Sequence, residues 1–106
     1  MDIRAIKADV VQLYRLLKEH GVRADIFILY GSYARGNPRS DSDIDIAVIS
    51  RDFGKDRFKE GSRLNYLASK INPRIEAVPI SLADYFSKEN ISPLLHEITT
   101  TGIVLL

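Results

Sequence analysis

A chain of 106 residues has room for one domain around a single core, so we expect residues 1–106 to form one domain. Its 15 Lys and Arg against 14 Asp and Glu give a net charge of +1, which excludes a sequence-wide field that would collect nucleic acid or an anionic membrane. The lack of cysteine excludes disulfides, thiolate zinc sites and a cysteine nucleophile. The charged amino terminus and the lack of a long apolar stretch predict a cytoplasmic protein without a membrane span.

The first half of the chain predicts two helices and two strands in alternation. An apolar stripe at steps of three and four predicts a first helix of about 18 residues that ends near Gly21. Residues 24–30, "ADIFILY", predict a buried strand, and the Gly-Ser pair that follows predicts a short helix over "YAR". Residues 43–50, "DIDIAVIS", predict the second strand. The stripe of the first helix consists of Ile3, Ile6, Val10, Leu13 and Leu17.

The segment 53–72 predicts a longer helix with a weak beginning. Gly54 and Gly61 lower the helix propensity of its first half, so we expect a firm helix only from about Ser62. Its apolar face consists of Phe58, Leu64, Leu67, Ala68 and Ile71.

The last third predicts one strand, two short helices and a final apolar tail. Residues 74–80, "RIEAVPI", predict a third strand, in which Pro79 indicates an edge or a strand end. Ser81 and the Ser92-Pro93 pair are start signals for short helices, the second of which ends at Gly102 and releases "IVLL" as a last strand or a docked tail. The order of elements predicts an α/β (α+β) fold with a small mixed β-sheet packed with helices.

Two aspartates of the second predicted strand form an acidic pair. Because side chains alternate along a strand, Asp43 and Asp45 point to one face and Ile44 and Ile46 to the other. At about 4 Å the two carboxylates repel each other by about 4 kcal/mol at an effective dielectric constant of about 20. A solvated acidic strand end is one explanation, and a magnesium ion that compensates both charges is the other.

Three features near this pair favour the magnesium interpretation. Gly31 and Ser32 open a short helix whose backbone N–H groups are suited to a phosphate, although the pair is also common in ordinary turns. Arg35 and Arg39 either hold phosphate or offset the acids, and we count Arg39 among the candidate nucleotide-binding residues. Glu76 is a lone acid in an apolar strand, which either faces solvent or supplies the third carboxylate of a two-metal site.

A calcium loop is excluded by the residues that follow the acids. Asp41, Asp43 and Asp45 give the D-x-D-x-D spacing of an EF-hand. That loop requires Gly at its sixth position and Glu at its twelfth, where this chain has Ile46 and Asp52.

The segment "GSYARGNPRSDSDIDI" resembles the signature of the DNA polymerase β-like nucleotidyltransferase superfamily, a Gly-Ser pair followed by ten residues, 33–42, and Asp-x-Asp. Its "ARG" and "SDIDI" variants are most similar to the minimal nucleotidyltransferases, or MNT proteins, which are antitoxins of HEPN-domain toxins. The resemblance implies that Gly31 and Ser32 bind the triphosphate of ATP. It implies that Asp43, Asp45 and Glu76 are catalytic and hold two Mg²⁺ ions.

The activity implied by this resemblance is the transfer of AMP from ATP to a tyrosine of a HEPN-domain partner, with no membrane and no direct nucleic-acid binding. The family more often has Asp where this chain has Glu76. The alternative is therefore a binding antitoxin with little or no activity, which neutralises its partner by contact. Nucleotidyl transfer to a small molecule such as an aminoglycoside ranks last, since such relatives are usually longer.

Overall fold

The computed structural model describes residues 2–89 and 91–106, and this part of the chain contains five helices and four strands. Their order agrees with the order predicted from the sequence, and the tail "IVLL" supplies the fourth strand. In chain order the elements are α1 (Ile3–Glu19), β1 (Ile26–Tyr30), α2 (Ser32–Arg35), β2 (Ile44–Ser50), α3 (Arg57–Ser69), β3 (Ile75–Ser81), α4 (Leu82–Phe86), α5 (Pro93–Thr101) and β4 (Ile103–Val104).

The strands form one mixed sheet in the order β3-β2-β1-β4, which confirms the predicted fold class. β1 is antiparallel to both β2 and β4, whereas β3 is parallel to β2. The parallel pair is joined through α3, as a parallel connection requires a crossover, while the antiparallel pair β1 and β2 is joined by α2 and a loop. Tyr30 is paired with Asp45 across β1 and β2, and Asp45 with Glu76 across β2 and β3.

The two faces of the sheet carry cores of different size. The larger core lies under α1 and α3, and its strand residues include Phe27 and Leu29 of β1 and Ile44, Ile46 and Val48 of β2. The smaller core lies under α4 and α5, and it consists of Ile28, Ala47, Ile49, Ile80 and Ile98 with partly buried neighbours that include Tyr30. By strand alternation Asp45 shares the face of Ala47 and Ile49, so it lies at the end of the smaller core.

Helix α1 is attached to the sheet by four of the five residues of the predicted stripe. Ile6, Val10, Leu13 and Leu17 are fully buried, and Asp2 caps the helix by accepting a hydrogen bond from the Ala5 N–H at 2.9 Å. The fifth residue, Ile3, is the first residue of the helix and is 43% exposed. No helix within the described parts of the chain is long and apolar enough to cross a membrane.

Helix α3 begins at Arg57, so the predicted weakness before Ser62 is wrong. Asp56 caps it by accepting a hydrogen bond from the Lys59 N–H at 3.1 Å. Glu60 reaches back and accepts from the N–H of Gly54 at 3.0 Å, which fixes the turn before the helix. The predicted place of Phe58 on the apolar face is also wrong, since its side chain is 83% exposed.

Both helices of the carboxyl-terminal third begin at the predicted residues, and α5 also ends at the predicted one. Ser81 accepts from the Asp84 N–H at 3.1 Å and caps α4, and Ser92 accepts from the Leu95 N–H at 3.1 Å and caps α5. Helix α5 stops at Gly102, after which β4 pairs with β1. The Leu105 N–H donates to the Phe27 carbonyl at 2.8 Å, so the tail is docked as well as paired.

The outer edge of β3 is covered by one side chain of α3. The amide of Asn65 donates to the carbonyl of Ala77 and accepts from its N–H, both at 2.8 Å, and the same amide donates to the Gly61 carbonyl at 2.8 Å. Asn65 therefore satisfies both backbone groups of the residue that follows Glu76. Pro79, further along the same strand, has no N–H to expose, as expected for an edge strand.

We expect Asn65→Ala to lower the free energy of unfolding by about 2 kcal/mol, because it leaves the N–H and carbonyl of Ala77 without their partner in a partly buried position. Urea unfolding followed by circular dichroism measures the change. Asn37→Ala, in an exposed loop, is the matched control and should change stability by less than about 0.5 kcal/mol. Equal stabilities of the two variants would contradict the role given to Asn65.

Candidate active site

The acidic pair lies where β2 begins. Asp43 immediately precedes the strand and is exposed, whereas Asp45 is its second residue and is partly buried. Ile44 and Ile46 are fully buried on the opposite face, as predicted from alternation. The two carboxylates therefore belong to the same face of the sheet.

The strand register adds a third acid and a tyrosine to this pair. Asp45 lies directly opposite Tyr30 on one side and Glu76 on the other, so the three residues form a row across the central strands. In an antiparallel pair such as Tyr30 and Asp45, directly opposed residues have Cβ atoms about 4.5–5.5 Å apart. Glu76 is exposed and Tyr30 is half-buried. The structure thus brings Asp43, Asp45 and Glu76 together, while their catalytic and metal-binding roles stay predictions.

Asp45 has the most unfavourable electrostatic environment of this group. Its pKa is raised from the ordinary 3.8 to about 6. Burial is the largest cause, followed by the carboxylates of Glu76, Asp43 and Glu97, and the guanidinium of Arg35 opposes them. A negative charge at Asp45 is therefore poorly compensated by the protein itself, and a bound cation would be favoured there.

Glycine at position 31 is required by its contact with Asp45. Gly31 precedes α2 with φ +76° and ψ −154°, a conformation that residues with a side chain rarely adopt. A Cβ added to Gly31 would overlap the carboxylate of Asp45. The backbone at the start of α2 consequently lies against the acids, and Ser32, partly buried, is the first residue of that helix.

The two arginines of the loop differ in their relation to the acids. Arg35 forms an ion pair with Glu97 of α5, with its Nη1 atom 3.3 Å from Oε1, and lowers the pKa of Asp45. Arg39 is exposed, and its backbone N–H donates to the Ser42 hydroxyl at 2.7 Å in the turn before Asp43. Among the described residues, Arg35 is the cation that acts on Asp45, and phosphate binding by Arg39 stays a prediction.

Three residues near the acids were not predicted from the sequence: Tyr30, Glu97 and Arg74. Tyr30 has a raised pKa, chiefly from burial and then from Asp45, Glu76 and Glu97, which places its hydroxyl near their charges. Its position opposite the acidic strand was the signal that could have found it. Glu97 and Arg74 gave no signal, because each reaches the site through tertiary packing. Arg74 Nη2 donates to the Tyr33 hydroxyl at 3.0 Å and to the Ser42 carbonyl.

The acids fit a metal ion that is bound together with a nucleotide. Across residues 2–89 and 91–106, no three His, Cys, Asp or Glu side chains are arranged to ligate one ion. Magnesium, however, usually takes one or two protein carboxylates and completes its shell with water and substrate phosphate oxygens. The Asp43 and Asp45 pair, with the raised pKa of Asp45, suits that donor set.

Comparison with known proteins gives one family. The family model described as "Polymerase beta, Nucleotidyltransferase" matches residues 11–106. No curated protein matches the chain.

Several solved structures share the fold. A crystal structure of a toxin–antitoxin with AMP-PNP is 24% identical with a TM-score of 0.57, covering 94% of this chain and 72% of that one. A mutant of the toxin–antitoxin MntA-HpeT is 26% identical with a TM-score of 0.56, covering 90% and 69%. A chain in the structure of a tri-AMPylated Shewanella oneidensis HEPN toxin in complex with MNT antitoxin is 22% identical to this chain with a TM-score of 0.52. The match covers 94% of this chain and 71% of that one.

We expect Gly31→Ala to destabilise the protein by about 3 kcal/mol, since it combines a strained backbone with overlap on Asp45. Gly36→Ala is the matched control: its φ is +79°, but an added Cβ meets nothing within 4 Å, so only the backbone cost of about 1 kcal/mol applies. In an Asp45→Ala background the cost of Gly31→Ala should fall by about 1 kcal/mol, as chemical denaturation would measure. An unchanged cost would contradict the contact.

We expect Asp45→Asn to stabilise the magnesium-free protein at pH 7.5 by about 1 kcal/mol, allowing for solvent screening of this partly exposed group. Because the folded-state pKa is raised to about 6, the charged carboxylate destabilises the fold fully above that pH, and the penalty disappears below the ordinary 3.8. Unfolding in chelator between pH 4 and 7.5 measures the effect, with exposed Asp41→Asn as the control. A less stable Asp45→Asn variant at pH 7.5 would refute this sign.

Proposed function

Since the chain belongs to the polymerase β nucleotidyltransferase family, we propose that it acts as an MNT-type antitoxin that transfers AMP from ATP to a hydroxyl, specifically of a tyrosine, on a HEPN-domain toxin. The observation that carries this proposal is the strand register that sets Asp45 beside Glu76, with Asp43 two residues earlier and the Gly31 backbone against Asp45. The acids thus lie next to a glycine turn that a phosphate could approach.

The structural neighbours support this choice of donor and acceptor. One contains AMP-PNP, an ATP analogue, bound to a toxin–antitoxin. Another is a HEPN toxin that carries AMP groups and is in complex with its MNT antitoxin. At 22–26% identity they support the fold directly and the reaction by analogy.

The metal in this proposal is Mg²⁺, with Asp43, Asp45 and Glu76 as the residues that would hold one or two ions. When bound, magnesium would neutralise charge on the nucleotide phosphates and on the departing pyrophosphate. Its charge would also offset the burial and the neighbouring carboxylates that together raise the pKa of Asp45.

The residues of the chain then have separate tasks. The backbone of Gly31 and the hydroxyl of Ser32 bind the triphosphate, and Arg39 and Arg35 supply positive charge beside it. Glu76 accepts the proton of the incoming tyrosine hydroxyl. The tyrosine oxygen forms a bond to the α-phosphorus as the bond from that phosphorus to the pyrophosphate oxygen breaks, and no covalent enzyme intermediate forms.

The openness of the site favours an acceptor on another protein. Glu76 and Asp43 are exposed, and the loop 36–41 beside them is exposed throughout. A small acceptor molecule would have few surrounding side chains to orient it, whereas a protein partner can position its acceptor hydroxyl through its own contact surface. Transfer from ATP also agrees with the cytoplasmic location expected from the sequence.

The alternative is a binding antitoxin that neutralises its partner by contact alone. The exposure of Glu76, the residue that would complete the acidic set, favours this second function. The two functions differ in whether the partner carries AMP after co-expression.

We expect Asp43→Asn and Asp45→Asn each to lower AMP transfer at least about 100-fold, since each would remove a carboxylate from the magnesium site. The measurement is transfer of radiolabel from α-labelled ATP, with magnesium, to a co-purified HEPN-domain toxin. The matched control is Asp41→Asn, an exposed aspartate of the same acidic run, which should retain activity.

Labelling by both Asn variants at the wild-type rate would refute the assignment of the acids. If wild-type protein adds no AMP to the toxin but still protects cells that express it, the contact mechanism is correct instead. Intact-mass spectra of the toxin from co-expressing cells distinguish these results.

A further inference from the structure

We propose that Arg74 is a positioning residue that holds the two halves of the candidate site at a fixed separation. The halves are the Gly31–Ser32 turn and the start of β2 at Asp43. This inference rests on the proposed function for its catalytic consequence, but its structural part stands on the contacts of Arg74 alone.

Arg74 contacts the immediate chain neighbour of each half. Its Nη2 atom donates to the hydroxyl of Tyr33 at 3.0 Å, and Tyr33 follows Ser32. The same atom donates to the carbonyl of Ser42, which precedes Asp43. One guanidinium nitrogen therefore joins the phosphate-binding turn to the acidic strand end.

The segment between the halves cannot hold them by itself. Residues 36–41 are all exposed, and the backbone bonds from the Asn37 N–H to the Ser32 carbonyl at 3.1 Å and from the Gly36 N–H to the Tyr33 carbonyl at 3.3 Å tie only the start of the loop to α2. The Ser42 N–H donates to the Arg39 carbonyl at 3.1 Å, which closes a local turn but does not reach α2. Arg74, the residue before β3, therefore adds to the β1–β2 pairing a side-chain link between Tyr33 and Ser42, on either side of the loop.

The backbone of Arg74 is itself anchored on both sides. Its N–H donates to Asn72 Oδ1 at 3.0 Å, and its carbonyl accepts from the Ile44 N–H at 2.9 Å. Asn72 donates in turn to Asp9 of α1 at 3.1 Å. Because its backbone is anchored to α1 and to β2, the Arg74 side chain can hold Tyr33 and Ser42 in place relative to them.

The guanidinium group is suited to this bridging. Its planar nitrogen carries two hydrogens in a fixed geometry, and so it serves two acceptors without rotating. Tyr33 is 8% exposed and its ring belongs to the larger core, so the acceptor on the α2 side is equally fixed. Loss of the bridge should loosen the loop ends while it leaves the sheet intact.

The catalytic consequence is a loss of alignment rather than of binding. Misplacement of reacting groups by about 1 Å can cost about 100-fold in rate. We therefore expect Arg74→Gln to lower kcat for AMP transfer about 10- to 100-fold with a smaller change in KM for ATP.

Hydrogen–deuterium exchange and kinetics on the toxin complex test the proposal together. Arg74→Gln should raise amide exchange in residues 36–43 about 10-fold and lower kcat. Arg63→Gln is the matched control, because Arg63 also donates a guanidinium hydrogen to a backbone carbonyl, that of His20, away from the acids. It should change neither quantity.

Tyr33→Phe is the second variant, since it removes only the hydroxyl acceptor and keeps the buried ring. It should raise exchange in residues 36–43 by a smaller factor, and the double variant should be no worse than Arg74→Gln alone. Exchange and kcat in Arg74→Gln equal to those of Arg63→Gln would overturn the proposal. If wild-type protein transfers no AMP, the proposed function fails, and exchange in residues 36–43 still decides the role of Arg74.

Discussion

The pairing of β2 with a strand on each side is the constraint on which the rest of the site depends. It fixes Asp45 between Tyr30 and Glu76. Because the backbones of the three residues are hydrogen-bonded neighbours in the sheet, their side chains stay close to one another whichever rotamers they adopt. The result is a carboxyl group whose pKa is raised to about 6 by burial and by its acidic neighbours. The fold therefore keeps an unfavourable concentration of charge at one sheet end, which a cation bound with a nucleotide would relieve.

The remainder of the molecule maintains this arrangement in two ways. The larger core under α1 and α3 stabilises the strand that carries Asp45 and so offsets the repulsion between the acids. Ile44 and Ile46, the neighbours of Asp45 in sequence, are fully buried in that core. The glycine turn and the Arg35 to Glu97 ion pair adjust the surroundings of the acids without filling the space in front of them. The larger core and the candidate site thus lie on opposite faces of one sheet.

Local signals in the sequence predicted the fold and half of the site. The period-two alternation around Asp43 and Asp45, and the Gly-Ser break before them, depend only on residues near in the chain. Glu97 and Arg74 could not be predicted, because their relation to the acids arises from the docking of α5 and from the loop crossing to β3. The early start of α3 was missed for a different reason, since side-chain capping by Asp56 and Glu60 outweighed the low helix propensity of its glycines. Phe58, the second residue of that helix, is exposed despite its apolar spacing.

The amide of Asn65 on the rim of β3 has a consequence for how another protein can approach. An edge strand with free backbone N–H and carbonyl groups can pair with a strand of another protein. In β3, however, the backbone of Ala77 is already bonded to Asn65, and Pro79 has no N–H to donate. Binding of a partner by β-strand addition at the edge of β3 is therefore disfavoured. Under the proposed function, a protein that carries the acceptor hydroxyl would instead approach the exposed side of the carboxylates, where Asp43 and Glu76 face solvent.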